Sequence, residues 1–367
     1  MKIISPPRVE LILLGANFER IKTIEAFDSL LWTENYYDAG TFELYCGFRY
    51  LRYFLEATHV YRHDTNRLAV INYIKPDEQT GSVIIKGGLI ENELKTRVLD
   101  QAAKLSGTVE DVCRLLVEKY CMTGGRAIPR LALGEPFGLT EVIEAQRTGK
   151  TVFDVLAELL YSREASFRLR FDFGERMLYF ELFQGIDRTV SQSANTRCLF
   201  STERNNVLSE TYETSRDTRN FAYVAGAGEG DARAVVTIDQ TDGGPRRELY
   251  VDARDIQPTE AAPAGSVAYN QLLINRGQEK LSEWNIADTV GVEIDMYNAP
   301  KFALGDKCSY RGSFRIQGNF DPVLGVEAEG RVTKIYEVLE PSEISKTVTL
   351  GKEQLQVKQA LKRSFGT

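Results

Sequence analysis

Apolar and polar residues alternate with period two through most of this sequence, as they do in strands with one buried face. The densest case is the stretch from Asn205 to Asp239. Val207–Tyr212, Asn220–Ala225 and Ala232–Asp239 each predict a strand, with Gly226-Ala-Gly-Glu-Gly230 turning the last two into a hairpin. Together they predict an antiparallel meander. Residues 1–100 read the same way. Val9–Leu14 and Ile24–Trp32 are candidate strands, Tyr37–Gly40 is a turn, and Phe42 and Leu44 alternate with Glu43 and Tyr45 in the next strand. Arg67–Lys75 and Ser82–Lys86 form a predicted hairpin around Pro76–Gly81.

Helical spacing enters after Asp100. Thr108 precedes apolar positions 109, 112, 113, 116 and 117, and Thr151 precedes 152, 155, 156, 159 and 160. Each threonine is a predicted N-cap, and each set is the stripe of an amphipathic helix. Between them, Leu139–Arg147 is read as a short helix. A hairpin follows, with Phe167, Leu169 and Phe171 facing one way and Leu178, Phe180 and Leu182 returning. Further on, Pro258–Gly265 is read as an exposed linker, Gln278–Asn285 as a helix, and Val290–Met296, Arg331–Val338 and Lys346–Leu350 as strands. The expected fold class is β-rich α+β: two antiparallel β units of barrel or sandwich type flank a small mixed unit. The predicted borders are 1–100, 101–185 for the mixed unit, a connection at 186–204, 205–350 with a helical insertion, and a tail at 351–367 whose Lys352–Arg363 has weak helical character.

Composition changes this picture little. The 367 residues are 43% hydrophobic and 26% charged, as in ordinary globular proteins. Apolar runs stay well short of the roughly 20 residues that span a bilayer. Pro6, Pro7, Arg8 and Glu10 interrupt the place where a signal peptide needs an apolar core, so folding in a cytoplasm is expected. A net charge of −7 argues against general attraction to nucleic acid. Cysteines 46, 113, 121, 198 and 308 form no C-x-x-C pair and are expected to be reduced, buried thiols.

The chemical inventory is thin. His59 and His63, the only two histidines, are four apart, but no glutamate follows His59 as in a zinc-protease helix. The glycine loop at 226–230 lacks the last glycine of a dinucleotide fingerprint, where Asp231 stands, and a strand follows it instead of a helix. Gly149-Lys-Thr151 resembles the end of a phosphate loop, but Glu144 occupies the position of its first glycine. Nucleophile motifs are missing, and Glu210, Glu213, Glu327 and Glu329 are better explained as solvated strand faces than as a glycosidase pair. No catalytic, cofactor-binding or metal-ligating residue is assigned.

Four blocks, however, resemble a known family. Trp32–Leu44 resembles the W-x-x-x-Y-x-x-x-G-x-F-E-L signature of siphophage tail-hub proteins, and Gly87–Arg97 resembles the block where the chain leaves their first β domain. Asn220–Arg233 is similar to their N-x-x-Y-V-x-G-x-G-x-G-x-x-R block, and Leu304-Gly-Asp306 with Gly330–Thr333 to their closing pattern. The resemblance implies two tube-like domains per subunit, at 1–100 and 205–350, and a homotrimer that offers a pseudo-sixfold ring to a tail tube. It also implies a distal tail or tube protein above, a spike or fibre below, and DNA only as cargo passing through the lumen. The implied location is the tail tip or baseplate of a virion or tail-like particle, after synthesis in the bacterial host cytoplasm. Many relatives extend further into peptidase, lysozyme or receptor-binding parts; with Thr367 as the last residue, such activity is expected in another protein. The competing readings are a cell-wall hydrolase and a host-receptor adhesin.

Overall fold

The structure, a computed structural model, describes residues 9–215, 217–230, 233–284, 287–314 and 324–351. The segment 352–363, expected to have weak helical character, lies outside them. In the N-terminal part, β1 (Leu11–Leu14), β2 (Arg20–Ile24), β3 (Ser29–Asn35), β4 (Thr41–Gly47), α1 (Leu51–Glu56), β5 (His59–Arg62), β6 (Arg67–Asp77) and β7 (Ser82–Leu89) follow in order. The middle holds β8 (Ala103–Thr108), α2 (Val109–Cys121), β9 (Leu131–Leu133), β10 (Val142–Arg147), α3 (Val152–Tyr161), β11 (Ser166–Asp172) and β12 (Met177–Phe183). The rest comprises β13 (Leu199–Ser201), β14 (Val207–Ser215), β15 (Phe221–Ala225), β16 (Val235–Asp239), β17 (Glu248–Asp252), α4 (Val267–Ser282), β18 (Ala287–Ile294), β19 (Lys307–Phe314), β20 (Leu324–Leu339) and β21 (Ile344–Gly351).

The β-rich α+β class holds, but among the described residues no sheet closes into a barrel. A single 13-stranded sheet instead runs through both predicted β units, in the order β14-β18-β21-β20-β3-β4-β7-β6-β5-β1-β2, with β19 and β13 branching from β20. The join is β3 against β20, with Leu30–Asn35 antiparallel to Lys334–Leu339. The two halves read as separate in sequence because their apolar cores are separate. One gathers around Trp32, Phe42, Leu44 and Ile85, the other around Val290, Val292, Val332 and Val348. Between them the core side of the seam is ionic: Arg62 pairs with Glu337, which Lys346 also reaches at 3.0 Å. Burial alone would raise the Glu337 pKa, but the charges of Arg62 and Lys346 outweigh it and hold the carboxyl below its usual range.

Several local expectations change. The predicted strand Ile24–Trp32 is two strands, β2 and β3, and α1 interrupts a part expected to be all β. β1 is buried on both faces, Leu11 and Leu13 in one core and Ile12 and Leu14 in the core of the middle part. That is why it reads as a continuous apolar run and not as an alternation. The predicted helix at 139–147 is strand β10, whose Ile143 is buried between exposed Val142 and Glu144 in antiparallel register with β8. The meander also divides: β14 pairs with β18, whereas β15 pairs with β16 antiparallel and with β17 in parallel. Helix α4 begins at Val267, not near Gln278, capped by the Ser266 side chain. The preceding 258–265 turn is mostly exposed as expected, although Ala262 is buried.

In the middle part, the two capped helices and the hairpin stand where they are expected. Thr108 and Thr151 accept hydrogen bonds from the Asp111 and Asp154 amides and cap α2 and α3. Both helices pack with the β11–β12 hairpin into one core that also takes Ile12, Phe18, Tyr61 and Leu68 from the first sheet. All five cysteines are free and buried.

Candidate functional site

The four sequence blocks are far apart in the chain, and the fold makes structural joints of them. Tyr36, from the first block, is buried where three parts meet. Its amide donates to the Thr333 carbonyl at 2.8 Å, its hydroxyl donates to the Glu164 carbonyl at 2.9 Å, and its own carbonyl accepts from the Ser166 hydroxyl. The Arg331 guanidinium from the last block lies 5.6 Å from its ring centre and donates to the Gly305 carbonyl and to Glu164. Gly305 has φ +90°, and a Cβ there would overlap the Tyr36 ring. Asp306 accepts from the Ile186 and Ala303 amides and from Arg188. Burial pushes the Tyr36 hydroxyl up to about 12, with Arg331 opposing, so it stays a protonated donor.

The other two blocks do similar work. Leu89 and Asn92 donate to the Gly40 carbonyl, while Glu91 accepts from the Leu169 amide, tying the first sheet to the β11–β12 hairpin. In the third block Gly228 and Gly230 take φ +104° and +54°, as the turn requires, while Gly226 is held by close approach: a Cβ there would lie 2.5 Å from the Tyr269 hydroxyl. Arg233 closes the loop by donating to the Ala225 and Gly226 carbonyls and to Asp252. Sequence reading found these residues and gave the glycine loop its role as a hairpin turn; it could not see the distant partners, Tyr269 and Asp252, that hold the loop.

With the joints in place, one continuous surface results. Strands β14, β18, β21, β20, β3, β4, β7 and β6 are antiparallel throughout. One cross-strand row is Ser209, Glu293, Thr347, Tyr336, Thr33 and Thr41; the next is Ser345, Val338, Leu31, Glu43, Lys86 and Tyr73. All of them are half-buried or exposed, whereas the opposite face carries Val292, Val348, Trp32 and Phe42 into the cores. Charges on the open face include both signs, with Glu43 and Lys86 paired at 2.9 Å. β6 and β20 each carry a bulge, after Ile71 and Val332; β20 passes there from β19 to β21, while β6 keeps β7 as its partner. Beyond its bulge β6 leaves β5, so Tyr73–Asp77 has one edge unpaired among the described residues, as does β14 at the other end.

The titratable residues singled out in sequence do not converge. His59 lies in β5 beside the Gly15 carbonyl, and His63 just beyond that strand. Among the described residues no group of three His, Cys, Asp or Glu could hold a metal, and no helix is long and apolar enough to cross a membrane. Sequence reading missed the ionic cluster between α3, β10 and α4. Arg147 is buried against Glu158 and Glu279, and Arg276 pairs with Asp255 at 2.9 Å. Asn275 and Arg276 also donate to the Glu144 and Gln146 carbonyls of β10, covering a strand edge that nothing else pairs among the described residues.

Comparison with known proteins places this geometry. The chain is similar in structure to a tail protein from Neisseria meningitidis, at TM-score 0.56 and 13% identity over 94% of this chain and 96% of that one. It is also similar to a prophage tail protein, gp18, from Listeria monocytogenes, at TM-score 0.53 and 13% identity over 96% and 99%. A 43 kDa tail protein of a Shewanella oneidensis prophage gives TM-score 0.52 and 12% identity over 93% and 98%. At these identities the likeness establishes a shared fold. Curated proteins give no match. The sequence model of the Siphovirus ReqiPepy6 Gp37-like family matches residues 10–352, and the chain belongs to that family.

Proposed function

We propose that this protein is a structural hub of a phage-type tail, which closes or adapts the distal end of the tail tube and docks a spike or fibre. The observation that carries the reading is the eight-strand face running unbroken across the β3–β20 seam. Such a face suits the wall of a channel. It is polar, carries both signs of charge, and offers a passing polyanion no basic stripe to adhere to. Two β halves per chain, at 1–100 and 205–350, let three copies present six similar surfaces to a sixfold tube while meeting a threefold spike below. The mixed part at 101–185 and the 186–204 connection brace this wall from behind. The role is one of shape and edge complementarity, and the chain carries out no hydrolysis in this reading.

Imaging of assembled particles tests it. A threefold ring of this chain, coaxial with the tube at the tip, is expected, with the eight-strand face toward the lumen. Six copies in the ring, or placement away from the axis, would overturn it. Zymograms on peptidoglycan test the hydrolase alternative, and lysis lost with one carboxylate substitution would favour that reading.

A further inference from the structure

We propose that the ring closes by strand addition between copies: the Tyr73–Asp77 half of β6 in one subunit pairs antiparallel with β14 of the next. This rests on the hub reading and names its subunit contact. Within the large sheet, the Tyr73–Asp77 half of β6 and β14 are the two unpaired edges that bound the eight-strand face. The edges of β2, of the three-residue β13 and of the first half of β20 lie off that face. The β6 half and β14 also carry exposed Tyr73 and Leu208.

Three features of the two edges agree. All seven strand pairs across the eight-strand run are antiparallel, so β6 and β14 point in opposite directions, and the next copy's β14 continues the alternation. Lys75 and Glu213 are exposed and form no ion pair among the described residues. Placing Lys75 opposite Glu213 sets Asp77 opposite Thr211, all on the polar face, and puts Pro76 opposite Tyr212 on the other. A one-residue slip would invert this match. The contact joins two different edges, so it is heterologous and builds a ring by rotation.

The test is cysteine cross-linking in the full chain, both purified at high concentration and in assembled particles. Lys75→Cys together with Glu213→Cys is expected to give disulfide-linked dimers and trimers and nothing larger. Either substitution alone is expected to give none, because the two edges differ. Lys75→Glu and Glu213→Lys should each weaken association several-fold, and combining them should restore it. Threefold particles without the disulfide would overturn the strand pair and leave the hub standing. A ladder running past three chains would keep the strand pair and overturn the threefold ring. A chain that is absent from the tail tip would remove the hub reading itself.

Discussion

Single residues in this protein matter mostly through the joints they make. Gly305 combines a left-handed φ of +90° with direct contact to the Tyr36 ring. Gly305→Ala therefore adds backbone strain and overlap at once, about 2–4 kcal/mol in sum. Denaturant unfolding should show the loss, and a change under ~0.5 kcal/mol, the range of ordinary surface sites, would mean the junction yields freely. His59 gives a pH dependence. Burial pushes its imidazole down to about 4, and the Gly15 carbonyl and the Glu19 charge only partly oppose this. An unfolded histidine titrates near 6.5. Between those values the unfolded chain takes up a proton that the folded one refuses, so stability is full above about pH 6.5 and falls as pH drops toward 4. The expected loss between pH 7 and pH 5 is about 2 kcal/mol. Depressed carboxylates such as Glu337 contribute only at lower pH, below the usual carboxylate range. If His59→Gln keeps the same drop between pH 7 and 5, another group is responsible.

At the scale of elements, the sequence was most legible where one element buries one face. Helices α2 and α3 and the β11–β12 hairpin follow their stripes and alternations almost residue for residue, and Leu156 sits fully buried in mid-stripe. Leu156→Ala should cost about 2–5 kcal/mol, and thermal or denaturant unfolding of the variant measures it. An effect near zero would mean the core around α3 can collapse into the space. Legibility failed where pairing is long-range. β10 looked helical because a two-stranded edge covered by α4 leaves Val142 exposed on one side and Gln146 and Arg147 buried on the other, so clean alternation is lost. β14 and β15 are consecutive and both alternate, yet they belong to different sheets, and no local signal distinguishes a hairpin partner from one 80 residues away. The motif blocks were legible as residues but not as a cluster, because their spacing in sequence says nothing of Tyr36 meeting Arg331.

For the whole molecule, the deciding feature is the β3–β20 seam. Two apolar cores on opposite sides of an ionic strip would ordinarily behave as two domains and unfold separately. Here six residue pairs of ladder, from Leu30↔Leu339 to Asn35↔Lys334, make one sheet of both, and the Tyr36 junction ties that sheet to the middle part. Melting either half exposes the partner strand's edge and removes hydrogen bonds from the other. Calorimetry of the intact chain should therefore give one dominant transition. Tyr336 is the place to cut the seam: it faces Thr33 on one side and Thr347 on the other, in a strand paired along both edges. Proline there removes an N–H and clashes within a central strand, at a cost of about 3 kcal/mol or more. Tyr336→Pro should split the single transition into two, with β1–β7 and the middle part melting apart from β18–β21. Tyr336→Ala keeps the backbone N–H and the ladder and should leave one transition, which separates loss of the seam from loss of the side chain. Two well-separated transitions in the unaltered chain would show that the seam joins the halves in geometry alone, and the channel wall proposed above would then have to draw its stiffness from the proposed neighbouring copies.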